Sequence, residues 1–393
     1  MLLSPRYGTG SLADVVPSVL SYLGVDAETD RLKLNLADAR RVCVLMVDGL
    51  GAEQLAAHPE DAPFMTSHSS TPITAGFPTT TATSLSSFGT GLPTGEHGIV
   101  GYVVSLPAHK RPMNSLQWKL QGAASSDELP LDLVPEQFQP SPTAFERAVA
   151  AGVRVVHVGP SMQNGSGLTR ASLRGAEFVS SMSIADVAAQ TSAAFVDAGP
   201  TLVYAYHGEL DLIGHVRGPT SLAWRLQLRH VDMLVESIAS QLPDDGALLV
   251  VADHGMVQIE HRIDYDSISD LRTGVTQLGG EPRMRYLYTR SGATADVHDT
   301  WSNLVGDRFT VVTRDDAIDR GWFGPQVTED AYSRIGDLLA LAEDASAVIR
   351  SQAEKNASRL IGHHGSLTAA ELLVPAIVVR GSGRKPDRVG APR

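Results

Sequence analysis

Acidic residues and histidines follow the apolar runs of this chain in a repeated way. Leu45-Met46-Val47 leads into Asp48-Gly49-Leu50-Gly51, and Val250-Val251-Ala252 leads into Asp253-His254-Gly255. Leu202 to Tyr206 is followed by His207-Gly208-Glu209-Leu210-Asp211 and then Gly214-His215. Asp211 and His215 stand at helical i,i+4 spacing, so on a helix they share one face. Each signal alone has a plainer reading: Asp48-Gly49 as a turn, Asp253-His254 as a helix cap with a satisfied neighbour. Their joint occurrence, with His363-His364 shortly before the last apolar run, supplies enough ligands for two divalent ions. Carboxylate oxygens mixed with imidazole nitrogens suit zinc or manganese and argue against an iron-sulfur or all-thiolate centre.

A hydroxyl-rich segment lies beyond the first run: Gly76-Phe77-Pro78-Thr79-Thr80-Thr81-Ala82-Thr83-Ser84-Leu85, followed by Gly89-Thr90-Gly91-Leu92-Pro93-Thr94-Gly95-Glu96-His97-Gly98-Ile99. A threonine hydroxyl barely ionises at neutral pH, so it attacks only where a metal or base lowers that cost. Simple helix capping is the competing reading.

Positioning such groups requires a sheet. Short runs rich in Val, Leu and Ile recur at Val42 to Val47, Val153 to Val158, Leu202 to Tyr206, Ala247 to Ala252 and Val374 to Val379. Helical periodicity marks Pro142 to Ala151 and Leu222 to Leu242, the latter with Leu226, Leu228, Val231, Leu234, Ile238 and Leu242 near one face. This alternation predicts an α/β fold whose ligands gather beyond the carboxyl ends of the strands. Two excursions interrupt it. Residues 103 to 141, rich in Pro, Gln and Ser, read as a long surface connection. Residues 257 to 330 contain strand candidates Arg285 to Thr289 and Phe309 to Thr313 and a helix candidate Ala295 to Val305, enough for a small inserted α+β cap. The expected division is a core of residues 1–256 and 331–393 with a cap of 257–330, and a frayed tail from Gly381.

Composition bounds the partners. The chain has 393 residues and a formal net charge of −12, so a basic binder of nucleic-acid polymer or membrane surface is disfavoured. No stretch approaches the roughly 20 apolar residues of a membrane span. The segment Met1 to Tyr22 lacks the pattern of a secretory signal. The single cysteine, Cys43, lies within an apolar run and cannot form an internal disulfide, which fits a reducing cytoplasm. Oligomeric state is not encoded legibly.

Six motifs in order, Val-Asp-Gly, Phe-Pro-Thr-Thr-Thr, Thr-Gly-x-Pro-x-x-x-His-Gly-Ile, Asp-x-x-Gly-His, Ala-Asp-His-Gly and His-His-Gly, resemble the alkaline phosphatase superfamily. Within it the chain is most similar to the type I phosphodiesterase/nucleotide pyrophosphatase branch, which also holds phosphonoacetate hydrolase. The resemblance spans residues 42 to 380. It implies an alkaline-phosphatase-like central sheet flanked by helices. It also implies Asp48, Thr81, Asp253 and His254 around one ion and Asp211, His215 and His364 around the other. Thr81 is implied as nucleophile over Thr79 and Thr80, and His364 as ligand over His363. Where the family phosphodiesterases carry a phosphate-binding Asn, this chain has Gly101 and Tyr102; Asn114 is the candidate replacement, with Tyr102 as a second substrate contact. A sulfatase would need a Cys or Ser with a Pro-x-Arg partner, which does not follow Phe77.

Charge then selects among substrates. Three ionised Asp and a threonine alkoxide balance two divalent ions, and Gly76 to Tyr102 contains no Lys or Arg. A diester with one negative charge therefore fits better than a monoester with nearly two. Arg217 or an arginine of the insertion could fold back to alter that balance. The resemblance implies a small nucleotide diester, with cyclic di-AMP or a dinucleoside polyphosphate as examples, cleaved through a phospho-threonine. Tyr102, Trp118, Trp322 and Phe323 could stack on a base or pack between core and insertion. The alternatives are a phosphonoacetate-hydrolase-like phosphonatase, a phosphomonoesterase, or a non-catalytic nucleotide or metal binder using Gly49-Leu50-Gly51 as a phosphate loop.

Overall fold

The computed structural model describes residues 1–36, 38–107, 109, 111–121, 133–196 and 199–381. Ten strands organise it: β1 (Arg41–Val47), β2 (Arg154–Pro160), β3 (Glu177–Ser181), β4 (Thr201–His207), β5 (Gly246–Val251), β6 (Val275–Leu278), β7 (Met284–Thr289), β8 (Phe309–Thr313), β9 (Leu338–Ala342) and β10 (Ala376–Arg380). The central sheet runs β10-β5-β1-β4-β2-β3, parallel except for β10. Val42 to Val47 and Ala247 to Val251 are wholly buried, as expected of strands covered on both faces. The α/β expectation holds, and all five apolar runs are strands. β3 is the strand the runs do not reveal: it sits at the sheet edge with Glu177 and Ser180 exposed.

Three adjacent strands, β5, β1 and β4, end together. Val47 lies opposite His207 and Met46 opposite Val251, so the residues that follow emerge side by side on one rim. At a strand spacing of about 4.8 Å, side chains from the three exits reach a common centre. Three helices complete the frame: α1 (Thr81–Thr90), α2 (Glu209–Arg217) and α3 (Leu222–Ser240). α1 is buried throughout and ends at Gly91 in the left-handed region, φ +72°. α3 buries Leu228, Val231, Leu234, Val235 and Ile238; Leu226, grouped with that face by spacing, is exposed instead.

The second excursion forms its own four-stranded sheet, β6-β7-β9-β8. β9 is central in it, paired with β7 and β8, so the inserted structure does not stop at residue 330. Ser346–Ile349 also pairs back onto His261–Asp264. The insertion leaves and rejoins the core through an antiparallel pair, Val257–Gln258 against Gly362–His363. The expected boundary failed because β9 is a fully buried apolar run, indistinguishable in pattern from a core strand.

The first excursion is likewise more than a surface connection where described. Val103–Val104, Met113–Asn114 and Lys119–Leu120 make a small sheet, with Met113 and Trp118 fully buried. Residues 122–132 of that excursion, and the tail beyond Gly381, lie outside the described residues. No helix among the described residues is long and apolar enough to cross a membrane.

Candidate metal centre

Asp48 follows β1 directly, and Asp253 and His254 follow β5. They form one cluster: His254 Nε2 lies 3.5 Å from Asp48 Oδ1 and 3.5 Å from Asp253 Oδ2. Asp211 and His215, one turn apart on α2, form a second with His364; His215 Nε2 lies 3.4 Å from Asp211 Oδ2 and 3.3 Å from His364 Nε2. The clusters touch, since the His254 and His364 rings stack at 3.6 Å between centroids. Gly49 makes this approach possible. Its φ is +77°, and a Cβ there would stand 2.9 Å from the Asp211 Cα.

The tautomers are set by the main chain. His254 Nδ1 lies 3.0 Å from the Gly255 carbonyl, His215 Nδ1 2.7 Å from that of Gly362, and His364 Nδ1 2.8 Å from that of Thr79. With each Nδ1–H donating to a carbonyl, every Nε2 turns its lone pair into the clusters, as metal-ligating imidazoles require. Asp48 Oδ1, Asp211 Oδ1 and Asp253 Oδ2 are buried without a hydrogen-bond partner. Buried carboxylate oxygens left bare in this way are costly unless a cation meets them. The donor set therefore fits two divalent ions.

Electrostatics agree. Burial, reinforced by the Asp253 charge, pushes Asp48 well above the usual carboxylate range, although the Tyr206 hydroxyl donates to it. Burial pushes Asp253 up to about 6, opposed by the Gly49 N–H, and raises Asp211 further with help from Asp48. Burial lowers His254 to about 4, and lowers His364 still more with the neighbouring imidazoles adding to the effect. Burial thus keeps the imidazoles neutral, the form that ligates metals, beside carboxyls whose ionised form a cation would favour.

The three threonines have separate tasks. Thr79 accepts the Gly365 N–H at 3.0 Å and donates to the Ser366 carbonyl at 2.8 Å. Thr80 occupies the N-cap position of α1. Thr81, first in the helix, places Oγ1 3.3 Å from His254 Nε2, at the edge of the first cluster. His363 lies in the strand against Val257, and His364 is the member of the pair that joins the cluster.

A cavity of about 830 Å³ opens beside Thr81. Leu85, Leu116, Met162, Leu168 and Ile184 give it aliphatic walls, Tyr206 and His207 form its floor near the metal centre, and Lys119 is the one cation among its described lining residues. Asn114 Oδ1 accepts the Gln117 N–H at 2.9 Å, and the Asn114 side chain also pairs with Tyr102, which feels the charge of Glu281; neither is among the described residues lining this cavity. Other expectations need correction. Trp118 packs edge-on against Phe138 and donates to the Leu133 carbonyl, while Trp322 and Phe323 pack against Phe77, so these rings belong to the core. Gly49-Leu50-Gly51 is no phosphate loop, because the Gly49 N–H donates to Asp253 and carboxylates surround it. Arg283 and Arg285 of the insertion are held by Glu371 and Glu354 instead of reaching the site.

Two neighbours were not singled out by sequence. Tyr206, the residue before the end of β4, donates to Asp48. Glu281, from the insertion, is buried with Oε2 3.3 Å from His364 Nδ1. A third cluster, His58, Glu60 and Asp61, is different in kind: Asp61 is neutralised by Arg225 and Arg229.

The model of the type I phosphodiesterase / nucleotide pyrophosphatase family matches residues 42–367. The chain belongs to that family. It is accordingly a hydrolase of the phosphodiesterase/nucleotide pyrophosphatase class. Among solved structures, it is similar to murine ectonucleotide pyrophosphatase/phosphodiesterase 5 in an inactive threonine-to-alanine form with AMP, at 18% identity and TM-score 0.68, covering 87% of this chain and 88% of that one. The human counterpart gives 20% identity and TM-score 0.64 over 87% and 88% of the two chains. Phosphonoacetate hydrolase from Sinorhizobium meliloti 1021, with phosphonoacetate, gives 18% identity and TM-score 0.64 over 90% and 93%. At these identities the likeness establishes the alkaline-phosphatase-like fold. A comparison with curated proteins gave no match.

Proposed function

We propose that this family member hydrolyses phosphodiester or pyrophosphate bonds of small nucleotides, with Thr81 as nucleophile at a centre for two zinc or manganese ions. The observation that carries the reading is the position of Thr81 Oγ1, 3.3 Å from His254 Nε2, where the first ligand cluster meets the cavity. Asp48, Asp253, His254 and Thr81 would hold one ion and Asp211, His215 and His364 the other. Bound there, the ions supply charge that polarises the phosphoryl oxygens and favours the ionised forms of Thr81 and the leaving group.

The residues do the rest. Thr81 Oγ attacks phosphorus in line as its proton passes to solvent, and the bond from phosphorus to the leaving oxygen breaks, that oxygen taking up a proton from solvent to leave as an alcohol or nucleotide and a phospho-threonine behind. Water then attacks the same phosphorus, the bond from phosphorus to Thr81 Oγ breaks, and a proton from that water restores the Thr81 hydroxyl. The murine relative's inactive form is a threonine-to-alanine variant, which supports a threonine in this role.

The cavity volume suits a nucleoside-sized group seated on aliphatic walls. Cyclic di-AMP, with a single negative charge on each of its two diesters, is one substrate that would seat one of its nucleosides there. Lys119, the one cation among the described lining residues, offers little to a substrate bearing a carboxylate as well as a phosphonate, so the phosphonoacetate reading is the weaker one. The acidic net charge argues against a nucleic-acid polymer, and the buried Cys43 fits a reducing cytoplasm.

The test is Thr81→Ala in zinc- or manganese-loaded protein, assayed on a nitrophenyl diester, a nitrophenyl monoester and nucleotides. Turnover should fall by at least about 1,000-fold with both ions retained. Near-normal turnover would remove Thr81 from its role, and a strong monoester preference in the unmodified protein would overturn the charge reasoning.

A further inference from the structure

The insertion reaches the metal centre through Glu281. Its β6–β7 hairpin turns through Gly279-Gly280-Glu281-Pro282-Arg283, with Gly280 at φ +72°. The turn is closed by hydrogen bonds between Glu281 and Met284 in both directions, 2.8 and 3.0 Å. Arg283, fully buried, anchors it by donating to both Glu371 oxygens at 2.7 and 2.8 Å. Glu371 in turn accepts the Ser366 N–H at 3.0 Å, so the hairpin tip and the segment His364-Gly365-Ser366 are braced as one piece.

That brace presents the Glu281 carboxylate to a metal-site ligand. Oε2 lies 3.3 Å from His364 Nδ1, whose N–H donates to Thr79. The side chain lies flat on Gly365, where a Cβ would come within 2.6 Å of its Cγ. Its Oε1 is buried with no hydrogen-bond partner. His215 and His254 show only main-chain carbonyls at Nδ1, so among the described residues His364 is the one clustered imidazole with a carboxylate on that side. A carboxylate beside the N–H of a ligating imidazole fixes the ring and strengthens its opposite nitrogen as a donor.

We propose that Glu281 is a positioning residue for the Asp211–His215–His364 ion site, carried there by the insertion, which thereby completes the metal centre. Glu281 itself does not take the ion, because it faces Nδ1 while Nε2 points into the cluster. This inference rests on the two-ion reading above.

The test uses the full chain, stripped and titrated with zinc against a chromophoric chelator, and with cobalt followed by its visible absorption. Glu281→Gln keeps the shape over Gly365 and removes the charge. The expected result is a roughly 10- to 100-fold weaker affinity for one of two ions and a changed cobalt spectrum, with the other ion and the ion-free Tm unaffected or the latter raised. Glu281→Asp, which keeps the charge and withdraws it by one methylene, should fall between. Wild-type affinity for both ions in Glu281→Gln would overturn the proposal, as would equal weakening of both with a lower ion-free Tm, the mark of a packing role. Two ions bound by the unmodified protein together with either of those results would leave the two-ion reading standing; failure of the unmodified protein to bind two would remove both.

Discussion

Asp253→Asn should stabilise the ion-free protein at alkaline pH while destroying its use as an enzyme. The Asp253 carboxyl is fully buried and pushed from its ordinary 3.8 to about 6. A carboxyl raised in the folded state contributes most to stability below about pH 4, and that contribution is lost as pH rises through about 6. At about 1.4 kcal/mol per pH unit, the ionised group costs about 3 kcal/mol at about pH 8. Asparagine keeps the oxygen that accepts the Gly49 and His254 N–H groups, both at 3.1 Å, and removes the charge. For 393 residues the unfolding entropy is about 0.8 kcal/mol/K, so the gain corresponds to about 4 °C in Tm. Calorimetry of chelator-treated protein at about pH 8 and about pH 4 measures it, and the gain should shrink below about 1 kcal/mol at the lower pH. Added zinc should invert the order, stabilising the unmodified protein and not the variant. A variant less stable than its parent at about pH 8 without metal, or a gain of equal size at both pH values, would refute the reasoning.

Acid sensitivity has a source outside the metal centre. Burial lowers His157, wedged between Phe178 and Tyr204, to about 4. Its contribution to stability is complete above about pH 6.5 and is lost as pH falls toward 4, so His157→Phe should gain about 2 kcal/mol relative to its parent at about pH 5 compared with about pH 8, by chemical denaturation at both values. The brace beside the metal centre should be just as measurable: Glu371→Ala leaves the fully buried Arg283 with main-chain carbonyls and no carboxylate to balance its charge, and should cost about 3–5 kcal/mol in the same assay.

How much of this was legible in the sequence depends on whether a residue's setting was local. Asp48, Asp253 and His254 could be read because each directly follows a buried run, and the parallel register then brings the exits together without further instruction. Thr81 and His364 needed the family resemblance, since neighbouring Thr79, Thr80 and His363 have the same chemistry; only the helix start and the strand pairing separate them. Glu281 had no local signal. It stands in an ordinary Gly-Gly-Glu-Pro turn, and its place beside His364 depends on the Arg283–Glu371 pair across the fold. Trp118, Trp322 and Phe323 were open to two readings, stacking on a base or packing in the fold, and their ring contacts decide for packing, which no local pattern could tell apart.

The central claim is that two ions sit side by side between the ends of β1, β4 and β5. Crystals of the zinc-loaded protein, with anomalous scattering recorded on both sides of the zinc edge, test it directly. Two peaks about 4 Å apart are predicted, one bounded by Asp48, Thr81, Asp253 and His254 and the other by Asp211, His215 and His364. A single peak, or zinc bound away from these residues, would contradict it.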